Sequence, residues 1–160
     1  ENGDVCVTRS KAIHVLVDVF AAFPPEADFH PVLAQRLVDT RYSPGILNGG
    51  QQRSHQIAGL LNVPASPIPT GTVLTLTMVS PQGIGFGTVF PCTPTLPTVS
   101  MLNVVPNHTH TNAVVTSLSA TGAICVYSSV TTHYLLDVSG WSGTAFIPLT
   151  PARLLDTRIV

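Results

Sequence analysis

Short stretches in which apolar and polar residues alternate recur along the chain and predict β-strands rather than helices. In residues 72–79, Leu74, Leu76 and Met78 share one side of a strand, because successive side chains of a strand point to opposite faces. We expect that side to face the core. Comparable stretches predict strands at residues 5–8, 13–20, 72–79, 85–90, 112–119, 123–128 and 133–138, whereas residues 42–69 lack clean alternation.

Turn-forming residues separate these stretches. Ser80-Pro81-Gln82-Gly83, Thr121-Gly122 and the proline-rich residues 91–97 predict turns. The 14 prolines argue against long helices, since proline interrupts helical hydrogen bonding. Strands at this spacing predict an all-β fold, an antiparallel β-sandwich of either the immunoglobulin-like or the jelly-roll-like kind.

Two blocks of sequence occur twice. Arg-Leu-Val-Asp-Thr-Arg at residues 36–41 returns as Arg-Leu-Leu-Asp-Thr-Arg at residues 153–158. A second block, residues 3–7 and 13–19, matches residues 122–126 and 132–138 at almost the same spacing. Such recurrence is typical of tandem repeats. We therefore expect a tandem or polymerised array, with the terminal strands of a preceding repeat or a strand-exchange segment in residues 1–28, one complete sandwich repeat in residues 29–140, and a linker with the first strand of the next repeat in residues 141–160.

Charge is scarce. Only 9% of the residues are charged, against roughly a quarter in ordinary soluble domains, and the net charge is −1 with Lys11 as the single lysine. This composition provides too few basic residues for a positively charged surface that would bind nucleic acid or an anionic membrane surface. No apolar run reaches the length of a membrane-spanning helix, so we expect no membrane insertion.

Four of the eight acidic residues and four of the seven basic ones occupy positions that recur in the repeated blocks. Asp137 lies in an apolar strand, where an unpaired carboxylate would be costly. We expect Asp39 or Asp137 to accept forked hydrogen bonds from Arg36 or Arg41, joining the first strand of a unit to its last strands. The alternative is a set of exposed ion pairs that contribute little. The predicted structural ion cluster is Arg36, Asp39, Arg41 and Asp137, with the repeat copies Asp18, Arg153, Asp156 and Arg158.

The three cysteines follow the same repeat. Cys6 and Cys125 occupy equivalent positions, so we expect Cys125 to pair with Cys92 and Cys6 to pair outside this unit. A disulfide requires an oxidising, extracytoplasmic setting. The alternative is three buried, reduced cysteines.

Read together, the blocks form an ordered pattern: residues 36–41, Phe90-Pro-Cys, residues 97–103, residues 111–115, residues 122–129, and residues 133–141. This pattern resembles a β-rich repeat found in tandem in large bacterial secreted and cell-surface proteins, where it is often joined to adhesin-like, peptidoglycan-acting or other hydrolase modules. The resemblance implies an extracellular accessory or structural module with paired Cys92 and Cys125. It implies no catalytic residues.

Other chemistry has weaker signals. His108 and His110 have the spacing of a His-x-His metal site to which His133 would add a third ligand. No Cys or carboxylate with metal-ligand spacing lies nearby and the segment is typical of an exposed polar turn, so we predict no metal and no cofactor. Asn107 begins a glycosylation sequon, so the protein is a candidate glycoprotein. No Gly-x-Ser-x-Gly elbow is present, and we predict no catalytic residue and no enzyme activity.

We therefore expect a non-catalytic structural module, secreted or at the cell surface, that associates end to end with neighbouring copies into a fibre, surface layer or stalk. Sheet edges are normally guarded by lysines and other charges, and this chain has few. The alternative is a carbohydrate-binding or adhesive module of a cell-wall-associated protein, with glycans as partners. That alternative would use an aromatic platform, although core packing explains the same residues: Tyr127, Tyr134, Trp141 and Phe146.

Overall fold

A computed structural model of the chain describes residues 6–8, 10–12, 26–143 and 147. Within these residues there are eight β-strands and no helix. The described part therefore contains no helix long and apolar enough to cross a membrane. The strands are β1 Phe29–Asp39, β2 Gln51–Gln56, β3 Gly71–Val79, β4 Gly85–Phe90, β5 Leu102–Val104, β6 His110–Ser117, β7 Ala123–Ser128 and β8 His133–Ser142.

The strands form two antiparallel four-stranded sheets, in the orders β1-β8-β3-β6 (the first sheet) and β2-β7-β4-β5 (the second sheet). Each of the first four strands pairs with its counterpart counted from the end: β1 with β8, β2 with β7, β3 with β6, and β4 with β5. This nested pairing is the winding of a jelly roll. The predicted all-β antiparallel sandwich is confirmed, in the jelly-roll form.

The core lies between the two sheets and follows the alternation in the sequence. Leu74, Leu76 and Met78 of β3 are at most 1% exposed. Gly87 lets the second sheet come close to them, because a Cβ at this position would lie 2.5 Å from the Met78 sulfur. The other strongly buried core side chains include Leu47, Ile57, Val89, Val104, Ile124, Val126, Tyr134, Leu136 and Val138.

Three predicted strands agree closely with β3, β4 and β7, and two differ at their ends. β6 begins two residues earlier than predicted and ends at Ser117, because Ser119 enters a turn in which Gly122 donates to its carbonyl. A positive φ of 78° at Gly122 suits that turn. β8 continues to Ser142 rather than ending at residue 138, because both β1 and β3 flank it over this length.

The strand prediction was wrong at three further places, one of which is the unpredicted three-residue strand β5. Residues 6–8 form no strand and are exposed, since no partner strand for them is present among the described residues. The equivalent residues of β7 lie between β2 and β4, which supply their hydrogen bonds. Residues 42–69 contain β2, which was not predicted because its sequence is polar throughout. The predicted strand at residues 13–20 lies outside the described residues.

Candidate functional site

The polar residues of the repeated blocks meet where β1 pairs with β8 at one edge of the first sheet. The pairing is irregular, with register shifts between Pro31 and Gln35 and between Arg36 and Val38. Between these two irregularities, Arg36 lies opposite Asp137. The structure thus brings together residues of the first and last strands of the unit.

Arg36 bridges two carboxylates. Its Nε donates to Oδ1 of Asp137 at 2.5 Å, and its Nη1 lies 3.4 Å from Oδ2 of Asp39. The Asp137 side chain is 24% exposed and that of Arg36 is 45% exposed, so the pair is only partly screened by water. Asp137, set among apolar neighbours in β8, has the cationic partner that its position requires.

Asp39 and Arg41 form a forked pair. The Arg41 Nε donates to Oδ1 of Asp39 at 2.9 Å and its Nη2 donates to Oδ2 at 2.6 Å, while the Arg41 backbone N–H also donates to Oδ1 at 3.1 Å. These hydrogen bonds from Arg41 lower the pKa of the Asp39 carboxyl from 3.8 to about 2. Asp39 is therefore ionised at neutral pH and holds the end of β1 in a fixed conformation.

Thr40, between these two residues, fastens β1 to β8 and was not singled out from the sequence. It is fully buried. Its backbone N–H and its hydroxyl both donate to the Tyr134 carbonyl at 3.1 Å, and its Oγ1 accepts from the Tyr134 N–H at 2.8 Å. One hydroxyl group therefore satisfies both backbone groups of a β8 residue. The only sequence signal for it is that the second copy of the block also carries threonine, at Thr157.

Two histidines flank the contact between Thr40 and Tyr134, one bonded to each residue. The Nδ1–H of His133 donates to the Thr40 carbonyl at 3.0 Å, which requires the proton on Nδ1. On the core side, His55 of β2 and the Tyr134 hydroxyl form a hydrogen bond of 2.6 Å that links the two sheets. Burial lowers the pKa of His55 from 6.5 to about 4, with a smaller contribution from the positive charge of Arg53, and burial also raises the pKa of the Tyr134 hydroxyl.

We call the polar residues that join β1 to β8 the junction cluster: Arg36, Asp39, Thr40, Arg41, His133 and Asp137. All six recur as identical residues in the second copies of the two blocks. The β1-type copy carries Arg153, Asp156, Thr157 and Arg158, and the β8-type copy carries His14 and Asp18. These six copies, including the predicted Asp18, Arg153, Asp156 and Arg158, lie outside the described residues.

The disulfide is present. Cys92 and Cys125 are bonded, with Cα atoms 4.8 Å apart and a sequence separation of 33. Cys125 lies in β7 opposite Phe90, and Cys92 follows the end of β4, so the bond ties the proline-rich segment after β4 to the second sheet. Cys6 is exposed and is not disulfide-bonded to any described cysteine.

The histidines considered as metal ligands do not converge. The rings of His108 and His110 are 6.4 Å apart, and His110 begins β6 instead of lying in a loop. His133 is two strands away in β8, with its Nδ1 on Thr40. Among the described residues, no group of three or more His, Cys, Asp or Glu side chains is placed to hold a metal ion. Asn107 is exposed in the turn before β6, where a glycan could be attached.

The aromatic residues considered as a sugar platform are dispersed. Tyr134 is fully buried in the core. Tyr127 packs against Phe86, and Trp141 stacks on His30 with ring centroids 3.9 Å apart. Phe146 lies outside the described residues. An open groove of about 760 Å³ lies beside the disulfide and is lined mainly by Pro, Ser and Thr residues, with no titratable side chain among its lining residues.

The fold and the junction cluster define a disulfide-linked jelly-roll sandwich whose first and last strands are held together by a polar contact set. Within that set the Arg and Asp side chains neutralise one another and fix the register of β1 on β8. No protein-family model matches the chain, and no curated protein matches it. The site itself is therefore the basis for a functional proposal.

Proposed function

We propose that this chain is a non-catalytic extracellular structural module that assembles end to end, by strand complementation between repeats, into a fibre, surface layer or stalk. The observation that carries the proposal is the recurrence of the whole junction cluster. A β1-type sequence and a β8-type sequence each occur twice in the chain, with all six contact residues identical.

The pairing of β1 with β8 suggests which segments the second copies of the two blocks would pair with. In the described unit, Arg36 of β1 pairs with Asp137 of β8, and the equivalent residues of the second copies are Arg153 and Asp18. Residues 146–158 of one copy would pair with residues 13–19 of the next, in the register of β1 on β8. The buried threonine contact would be reproduced by Thr157.

Such a contact is heterologous, since the two pairing segments are different and lie near opposite ends of the sequence. Repetition of a heterologous contact that does not close into a ring produces an open, linear assembly. Strand addition supplies backbone hydrogen bonds, and the junction cluster supplies the register. This combination suits a structural module that polymerises or stands in a tandem array.

The disulfide supports the extracellular part of the proposal. Disulfides persist in oxidising compartments and are rare in the reducing cytosol. The weakly charged surface, with only 9% charged residues, is consistent with extensive contacts between copies.

Charge reversal in the full chain tests the proposal. Asp18→Arg and Arg153→Asp each place like charges at the proposed contact, and the double variant restores opposite charges. We expect filaments by electron microscopy and concentration-dependent growth by sedimentation for the natural chain and the double variant, but not for either single variant. Glu26→Arg, an exposed charge change outside the junction, is the matched control and should leave assembly intact.

Two results would contradict the proposal. One is a natural chain that stays monomeric over the accessible concentration range. The other is a pair of single variants that lower the melting temperature without changing the mass, because that result would show the two segments pairing within one chain.

A further inference from the structure

Four strands lie at the sheet edges, and three of them are guarded against pairing with another chain. β1 contains Pro31 and two register shifts, β5 has only three residues, and β2 places Arg53 at its edge, where the guanidinium donates to the carbonyls of Gly45 and Ile46. Prolines, irregularities, short length and charge are the usual ways of blocking an edge. The fourth edge strand, β6, has none of them.

β6 is long and regular. All eight residues of His110–Ser117 pair with β3 without a register shift, and the strand contains no proline, lysine, arginine or acidic residue. Thr111, Asn112, Ala113 and Val115 are exposed, and the Val115 side chain is 58% exposed. A strand with these properties is a template for pairing with another strand.

The hydrogen-bonding pattern identifies which backbone groups are free. Leu118, just past β6, donates its N–H to the Thr70 carbonyl of the β3 side. Because directly opposed residues alternate along an antiparallel ladder, the even-numbered residues of β6 bond to β3 and the odd-numbered ones direct their N–H and C=O away from it. Thr111, Ala113 and Val115 therefore present their backbone groups at the open edge, and none of these groups has a backbone partner among the described residues outside the sheet.

We propose that this edge pairs with β6 of a second copy of the chain, antiparallel and across a two-fold axis, to make a continuous eight-stranded sheet. The second copy fits because the edge is self-complementary: it contains no Lys, Arg, Asp or Glu, so no like charges from such residues oppose each other across the axis. Three odd-numbered residues from each copy would supply about six backbone hydrogen bonds, two for each narrowly spaced pair. The β-branched side chains of Thr111 and Val115 suit cross-strand contact on the exposed sheet face.

This contact goes beyond the proposed end-to-end assembly and does not depend on it. A two-fold contact closes after two copies, whereas the heterologous contact continues. Acting together, the two would join linear assemblies side by side, as a surface layer requires. The Asp18→Arg variant separates them, because it removes the end-to-end contact and leaves β6 unchanged.

The experiment is sedimentation of the full chain carrying Asp18→Arg. We expect a monomer–dimer equilibrium that stops at twice the 16.9 kDa chain mass. Val115→Lys, which places a charge on the edge, should weaken the dimer by roughly tenfold or more. Thr75→Lys, on the same face but one strand in from the edge, is the matched control and should change the dimer affinity by less than about threefold.

A second variant keeps the test independent of side-chain charge. Ala113→Pro removes an N–H that points away from β3, so it should weaken the dimer while leaving the ladder with β3 in place. Amide exchange supplies a direct reading, with the N–H groups of Thr111, Ala113 and Val115 protected at high but not at low protein concentration. A chain that remains monomeric, or a dimer in which these amides gain no protection, would overturn the proposal.

Discussion

Asp137 of β8 accepts a hydrogen bond from the Nε of Arg36 in β1 at 2.5 Å, across 101 positions of sequence. This contact joins the first strand of the sandwich to its last. It also places a carboxylate inside an otherwise apolar strand without leaving it unpaired, which would be costly. The register of the two strands therefore depends on a charge pair as well as on apolar packing.

Replacement of Asp137 by asparagine tests the contribution of this pair. The amide keeps the shape of the side chain but removes its charge, so a charge-assisted hydrogen bond becomes a weaker one. Because both side chains are partly exposed, we expect a loss of about 1 kcal/mol and a melting temperature lower by roughly 2–4 °C. Glu26→Gln removes one exposed negative charge elsewhere and is the control. Equal melting temperatures for the Asp137→Asn variant and the natural chain would contradict the structural role of Asp137.

Thr40 should be more important for stability than the charged residues beside it. Thr40→Val keeps the volume but removes the hydroxyl that accepts from the Tyr134 N–H at 2.8 Å in a fully buried position. An unsatisfied buried group costs about 1–3 kcal/mol, so we expect a loss in the middle of that range by chemical denaturation.

Two further variants are the controls for Thr40. Thr40→Ser retains the hydroxyl and should recover most of the loss. Thr77→Val removes a hydroxyl that hydrogen-bonds to the exposed side chain of Thr111, and should cost less than about 0.5 kcal/mol. Equal losses at positions 40 and 77 would show that the Thr40 contact is not specific.

The parts of the fold that could be predicted from the sequence are those with apolar alternation. β4 and β7 have the predicted bounds, and β3 begins one residue early. β3 buries every second side chain along most of its length, whereas β4 and β7 are buried over most of their residues. β2 has no apolar residue and β5 only three residues, so neither has an alternation signal. Both are edge strands whose positions are determined by their partners, β7 and β4.

The candidate site divides in the same way. Arg36, Asp39, Arg41 and Asp137 could be grouped from the sequence because charges are rare and recur in both blocks. Thr40 could not, since threonine is common in this chain and its role depends on burial against the Tyr134 backbone. Hydrogen bonds to backbone groups depend on the register of neighbouring strands, and that register is known only once the strand pairing is known.

The disulfide should be a major source of stability. It closes a loop across 33 positions, and in the chain-entropy account a loop of this length corresponds to about 3–4 kcal/mol. We expect a reductant, or the double change Cys92→Ser and Cys125→Ser, to lower the denaturation midpoint by a corresponding amount. Cys6→Ser is the control and should have little effect. Titration of the unfolded, unreduced chain should find one free thiol, and three free thiols would exclude the bond.

His55 makes the sandwich sensitive to acid above the range in which carboxylates titrate. The pKa of His55 is about 4 in the folded chain because burial of the ring disfavours its charged form, whereas the ordinary pKa of histidine is 6.5. Between these two values the unfolded chain binds a proton that the folded chain does not, so stability is greatest above pH 6.5 and falls as the pH decreases toward 4. Because the ring is partly exposed, we expect this loss to be about 2 kcal/mol, less than the full shift implies. His55→Gln retains a partner for the Tyr134 hydroxyl but does not titrate, so its free energy of unfolding should vary less between pH 7 and 4.5.

If urea denaturation shows the same pH dependence for the His55→Gln variant and the natural chain, the acid sensitivity arises elsewhere. Asp39 contributes to acid sensitivity in a lower pH range than His55. Because its pKa is about 2 in the folded chain and 3.8 ordinarily, its stabilising contribution is lost only as the pH falls below 3.8.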